Sequence, residues 1–392
     1  MKKILITGLT LMALFKGYSQ VAADSSAYKS KKLKIDEINL VSSYYKQDGD
    51  NSAVTGGIGT EELTDISNTI DVKMIKYNQK GKKQTFDVEV GIDRYTSASS
   101  DRIDMQANSS ASSEDVRFYP SLSYSVEDEA KGITLSAGLS SSTEFDYQSF
   151  GGNIGYARKT KDRNGEFVAR FQTFLDQVKI IKPTELRTSG GYDTEARNTF
   201  ALSLSYSQIV NKNLQVMLLA DVITQQGYLS LPFHRVYFAG ETLARQELLP
   251  DNRLKIPLAV RASYFLGDNV IIRGYYRYYT DDWKLSSHTV NLEIPVKLSA
   301  FFSVSPFYRY YTQTKTKYFE EYGVHTAASE FYTSNFDLST FNSNFFGTGI
   351  KITPLKGVFG IQKLHTLEMR YGHYTRTTQM VSNIISISLK YK

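Results

Sequence analysis

Two strings of this sequence place an arginine between tyrosines. Tyr275-Tyr276-Arg277-Tyr278-Tyr279-Thr280-Asp281 returns 32 residues later as Phe307-Tyr308-Arg309-Tyr310-Tyr311-Thr312-Gln313. Weaker echoes are Arg370-Tyr371-Gly372-His373-Tyr374-Thr375 and Arg94-Tyr95-Thr96. A guanidinium is a planar fork of N–H donors that keeps its charge, and it stacks on aromatic faces. Such a track suits binding or steering of an anionic or aromatic solute. The plainer reading is repetition of hairpins, with the charges filling an interior as salt bridges.

Other candidate chemistry is thinner. The five histidines, His234, His288, His325, His365 and His373, include no pair at the i, i+4 helical metal spacing. Asp281-Asp282-Trp283 offers two carboxylates to Ca²⁺, but a solvated turn explains it better. Gly56-Gly57-Ile58-Gly59 has no helix after it and is not a phosphate loop. A serine–histidine nucleophile on a wall is conceivable, but no motif supports it. With no cysteine there is no disulfide, thiolate nucleophile or lipidation site. We expect no enzyme activity, no metal and no cofactor.

The elements that must position these residues are strands. Phe86, Val88, Val90 and Ile92 alternate with Asp87, Glu89, Gly91 and Asp93. Ile385, Ile387, Leu389 and Tyr391 alternate with Ser386, Ser388 and Lys390. Successive strand side chains point to opposite faces, so each run has one apolar and one polar face. Sixteen runs are expected, near 35–45, 65–77, 84–96, 116–126, 133–141, 148–159, 166–175, 197–209, 214–225, 254–265, 270–280, 287–298, 301–312, 341–352, 364–375 and 380–391. Most are about as long as a tilted membrane-crossing strand of 9–11 residues.

Connections after even-numbered runs are mostly short; those after odd-numbered runs include 46–64, 97–115, 176–196, 226–253 and 313–340. The connection 353–363 breaks the pattern, being long where a short one belongs. Short turns on one side and long loops on the other describe a transmembrane antiparallel β-barrel of about sixteen strands. Such a barrel is wide enough to hold water. It belongs in the outer membrane of a Gram-negative bacterium.

Alternation then sorts the candidates. Arg261, Arg273, Arg277, Tyr279, Arg309, Tyr311, Arg370 and Arg376 fall on the lumen parity, as do Tyr275, Asp71, Asp87, Glu89 and Asp93. The acidic group lies on runs two and three and the basic group on runs ten to fifteen, so opposed walls would set up a transverse field that orients polar solutes. Tyr276, Tyr278, Tyr308 and Tyr310 fall on the lipid parity and suit an aromatic girdle. Leu231-Pro232-Phe233-His234-Arg235-Val236-Tyr237-Phe238 is too apolar for a loop in water. Phe233, His234, Arg235, Tyr237 and Phe238 would form a lumen constriction, a partner patch or a short hairpin above the membrane.

Lys2 and Lys3, the apolar stretch from Ile4 to Phe15 and the small residues that follow have the plan of a secretory signal over 1–23, with cleavage after Ser19 or Ala23. The stretch spans only about 18 Å as a helix, too short for a membrane anchor. The remaining chain, 24–392, reads as one barrel. Net charge is +6 with no basic block, which gives no support for nucleic acid as a partner. Expected partners are outer-membrane lipid and the barrel-assembly machinery.

The strings Leu231 to Phe238, Arg277-Tyr278-Tyr279-Thr280-Asp281-Asp282-Trp283 and Arg309-Tyr310-Tyr311-Thr312-Gln313 together resemble a bacterial family catalogued as domain of unknown function thirty-five-seventy. The resemblance covers nearly the whole mature chain. It implies an outer-membrane barrel of about 400 residues. It also implies neighbours such as small lipoproteins, thioredoxin-like proteins and flavin transferases, and hence a small lipoprotein or periplasmic redox protein as partner. It implies no catalytic residue. Three functions follow: a channel or substrate-specific transporter for small polar solutes, a non-transporting barrel that anchors or exports a partner, and, least supported, an outer-membrane enzyme.

Overall fold

The computed structural model describes residues 31–96, 114–187 and 192–392. The signal expected over 1–23 lies outside these residues, as does most of the connection near 97–115. Sixteen strands form the wall: β1 (Lys31–Gly49), β2 (Leu63–Tyr77), β3 (Lys83–Thr96), β4 (Glu114–Asp128), β5 (Ile133–Thr143), β6 (Tyr147–Lys159), β7 (Gly165–Lys179) and β8 (Thr194–Asn211). They continue as β9 (Leu214–Gly227), β10 (Asn252–Leu266), β11 (Val270–Asp281), β12 (Ser286–Glu293, resuming at Val296–Lys297), β13 (Phe302–Gln313), β14 (Phe341–Ile352), β15 (Leu364–Arg376) and β16 (Met380–Tyr391). Each pairs antiparallel with its sequence neighbours, and β1 closes the ring on β16, from Ile38 opposite Tyr391 to Gly49 opposite Met380. Closure leaves no unpaired edge, which lipid requires because it offers the backbone no hydrogen bonds. The described residues contain no α-helix, only short 3-10 turns.

The faces follow the alternation. Leu139 is 70% exposed and Phe150 65% exposed, values that fit side chains meeting lipid. β12 is interrupted just before Pro295, which has no N–H to donate. β1 begins at Lys31 and β8 runs to Asn211, both longer than the alternation alone suggests.

Fourteen of the fifteen buried apolar side chains lie at the long-loop end, in connections or strand tips; Val358 is the exception, in the connection 353–363. The wall has lipid on one side and a polar lumen on the other. The packed core is therefore a dome made by the outer loops.

Candidate functional site

The lumen wall is a grid set by strand register. Arg277 on β11 stands opposite Thr289 on β12, which stands opposite Tyr311 on β13. One step towards the short-turn end, Arg261, Tyr275, Asn291, Arg309 and Phe345 form the next row across β10 to β14. Arg277, Thr289, Arg309, Tyr311 and Phe345 line a cavity of about 530 Å³ together with residues of β1, β15 and β16 and the outer loops. A second cavity of about 570 Å³ continues along the wall past Arg261, Arg273, Tyr275 and Glu293.

Part of this charge is neutralised. Glu293 takes Arg370 at 2.9 Å and Arg273 at 3.3 Å, and Glu368 also reaches Arg370 at 3.3 Å. Arg376 binds Asp337 of the loop after β13 at 2.6 Å. Tyr279 donates to Asp281 at 2.8 Å. On β3, which lies eight strands from β11 in a ring of sixteen, Asp93 meets Arg117 at 3.4 Å and Asp87 faces Lys73 in register. Asp71 stands directly opposite Glu89, a like-charge pair that needs a wet lumen.

The tyrosines of the other parity turn outward. Tyr276, Tyr308 and Tyr310 are exposed, and Tyr278 partly so. Their polar ends find partners on the next strand: Tyr276 with His288 at 2.8 Å, Tyr308 with Asn344 at 2.7 Å and Tyr310 with Asn342 at 3.2 Å. Tyr278 stacks beside His288, with ring centroids 5.2 Å apart.

The dome absorbs the apolar loop string. A small hairpin pairs Arg235 with Gln246 and Val236 with Arg245. Val236 and Phe238 are almost fully buried. Phe238 meets Tyr332 edge-on at 4.8 Å and lies under the Arg245 guanidinium at 4.0 Å. Phe233 packs on Val54, and Tyr237 lies beside Tyr322, with centroids 4.6 Å apart. His234 sits 3.4 Å from buried Glu247, which accepts from Thr333 at 2.5 Å and from the Leu231 amide at 2.7 Å. Burial pushes the His325 imidazole, packed beside Phe238, below its usual pKa. A short hairpin is thus present, as one of the three expectations for this loop has it, and its apolar face is spent on other loops.

One expectation is corrected. Asp281-Asp282-Trp283 is no solvated turn. Asp281 is buried, ion-paired to Arg253 at 2.5 Å, and accepts from the Leu285 amide at 3.0 Å; the buried Trp283 donates to the Asn252 carbonyl at 2.9 Å. The glycines at 56 and 57 shape the dome: a Cβ on Gly56 would sit 2.7 Å from the Tyr237 ring, and one on Gly57 2.7 Å from the Ser334 carbonyl.

Three groups carried no warning in the pattern. Thr289 and Phe345 had only their parity to mark them, and Phe345 is apolar on a face expected to be polar. Asp115, Glu144 and Asp146 bring one oxygen each within 4.8 Å of one another. Burial and the neighbouring carboxylates push Asp146, in the turn after β5, up to about 6. Glu61, on the cavity rim, is pushed up to about 7 by burial and by Asp337, against the pull of Arg376.

A closed sixteen-strand sheet with an apolar exterior and a polar lumen is an outer-membrane β-barrel. The chain belongs to the family described as "Protein of unknown function (DUF3570)", whose model matches residues 3–384. Among solved structures it is similar to a BenF-like porin from Pseudomonas fluorescens Pf-5, at 12% identity over 91% of this chain and 98% of that one, with a TM-score of 0.43. OccK9 (OpdG) from Pseudomonas aeruginosa gives 8% identity, 94% and 100% coverage and a TM-score of 0.44. The siderophore receptor PirA from Acinetobacter baumannii gives 11% identity over 88% of this chain and a TM-score of 0.45, and this chain spans 54% of its length. At these scores the barrel assignment rests on the closed sheet itself. Comparison with curated proteins gives no match.

Proposed function

We propose that this barrel is a selective channel for small polar solutes, with the dome controlling its outer mouth. The observation that carries the reading is the pair of cavities along the basic wall, directly beneath the dome and facing an acidic wall. A structural barrel without traffic has little use for guanidinium groups kept in a wet lumen, since unpaired charges are costly wherever the walls exclude water. Residues 1–23 serve in this reading as a cleaved secretory signal.

A second reading is a barrel that holds a small lipoprotein or periplasmic redox protein. One observation favours it. The connection 353–363 sits at the short-turn end and exposes Leu355 at 84% and Phe359 at 80%. Exposed apolar side chains clustered on a loop mark a contact surface.

Purified full-length protein in a planar bilayer separates the two. A channel gives stepwise conductance, with ion selectivity that changes when Arg277 and Arg309 are exchanged for glutamate. Silence, both in the wild type and in a variant with a loosened dome, rejects the channel and leaves the partner-holding barrel.

A further inference from the structure

Arginines of the basic wall, β10 to β15, divide into two groups. Arg273, Arg370 and Arg376 each have a carboxylate within 4.0 Å, whereas among the described residues Arg261, Arg277 and Arg309 have none. Arg261 and Arg309 instead lie over aromatic rings: Tyr275 at 5.7 Å and Phe345 at 5.6 Å. The unneutralised three sit on β10, β11 and β13, on one stretch of wall. Arg277 and Arg309 are two strands and about two residues apart, so their Cα atoms are separated by roughly 10–12 Å. Two side chains of this length can converge on one ligand.

The wall between them holds donors without acceptors. The Arg277 Nε and the Thr289 hydroxyl are both buried, and neither has a hydrogen-bond partner. Thr289 is 5% exposed and lines both cavities, as does Arg277. Buried polar groups are normally satisfied, and donors left over beside a fixed positive charge fit a missing oxyanion. Charge agrees. The upper cavity holds Arg277, Arg309 and Arg376 against Glu61 and Asp337, three to two; the lower holds Arg261, Arg273, Arg277 and Arg309 against Glu293, four to one.

The upper cavity also presents flat ring faces, Phe341, Phe345, Tyr311 and Tyr374, among smaller polar side chains such as Ser343 and Ser382. Its volume of about 530 Å³ is within the range of small-molecule sites and far above the share of a single water, about 30 Å³. A bare inorganic anion would use the donors and leave the rings idle.

We propose that this cavity binds a small organic acid, its carboxylate on Arg277, Arg309 and Thr289 and its flat or apolar body against Phe345 and Tyr311. The proposal rests on the channel reading, because the lumen is the ligand's route to the site. The acidic wall of β2 and β3 opposite repels the same ligand and keeps it on the basic side.

The test is titration calorimetry on the full chain in detergent, with phenylacetate, its neutral counterpart 2-phenylethanol, and inorganic phosphate. Folding is checked by heat-modifiable gel mobility. Phenylacetate is expected to bind at least tenfold more tightly than either comparator. Arg277→Gln and Arg309→Gln should each weaken it about tenfold, and Arg277→Lys, which keeps charge but loses the fork, by less. If an arginine variant fails to fold, Thr289→Val carries the test and should weaken phenylacetate severalfold. Phosphate or 2-phenylethanol binding as tightly as phenylacetate, or variants that bind like wild type, would overturn the site. Binding in detergent with silence in a bilayer would sink the channel alone, and conductance without phenylacetate binding would sink the site alone.

Discussion

Arg235 donates from Nη1 to the carbonyl oxygen of Val54 at 2.8 Å. The two residues belong to the loops after β9 and after β1, which lie eight strands apart in a ring of sixteen. The bond therefore ties opposite sides of the mouth together. The same guanidinium binds Glu185 of a third loop at 2.5 Å. Loops that meet across the diameter must cover the lumen.

Arg235→Gln removes the charged half of this junction. Hydrogen bonds to charged groups contribute about 1.5–3 kcal/mol each, and the exposed side of Glu185 puts this one towards the low end. Limited proteolysis should cut the variant within 228–251 several times faster than wild type, while the barrel keeps its heat-modifiable mobility. Equal cutting rates would show that the loops hold without Arg235.

Gly57→Ala should loosen the dome from the opposite side. Its φ of +87° already disfavours a side chain, and the added Cβ would meet the Ser334 carbonyl at 2.7 Å. Gly59→Ala is the control: φ is +81°, but the nearest atom is 3.4 Å away. Gly57→Ala should cost about 1–3 kcal/mol in the dome and raise single-channel conductance; Gly59→Ala should do less of both. Identical conductance in the two variants would separate the dome from gating.

This dome is also where sequence reading stops. The walls were legible because alternation is local: residue parity alone placed Arg277 and Tyr311 inside and Tyr276 and Tyr308 outside. Val54 and Arg235 are 181 residues apart, and no local period joins them. Gly56 and Gly57 read as a loop feature because their reason, Tyr237 and Ser334, lies in other loops. Asp281 looked solvated because its partner, Arg253, stands on the neighbouring strand. Parity could not say which lumen arginines lack a carboxylate, since Glu293 serves two of them at once.

Glu61 gives the dome a pH response. Its carboxyl is raised to about 7, so the folded dome prefers the neutral form. The stabilisation is complete below the ordinary carboxylate range, near 4.5, and is lost as pH rises through about 7. Proteolysis of the outer loops should therefore be slower at pH 5 than at pH 8, and Glu61→Gln should flatten the difference. Asp146, raised to about 6, acts in the same direction, and Asp146→Asn should remove any residue of it. A dome that becomes more protease-sensitive on acidification would contradict this account.

The outward tyrosines make a last prediction about the lipid side. Tyr308 is 46% exposed, yet its hydroxyl donates to Asn344 at 2.7 Å, so an amide on the lipid face is satisfied by a ring that suits the interface. Tyr308→Phe strands that amide and should cost about 1–2 kcal/mol. Asn344→Val strands the hydroxyl, with a smaller loss because a phenol near the headgroups can turn towards water. If the two act as a pair, the double variant should lose less than the sum of the singles, by about 1 kcal/mol. Urea unfolding in lipid vesicles measures all three. Strict additivity would mean that each residue meets water independently and that the belt owes its place to the rings alone.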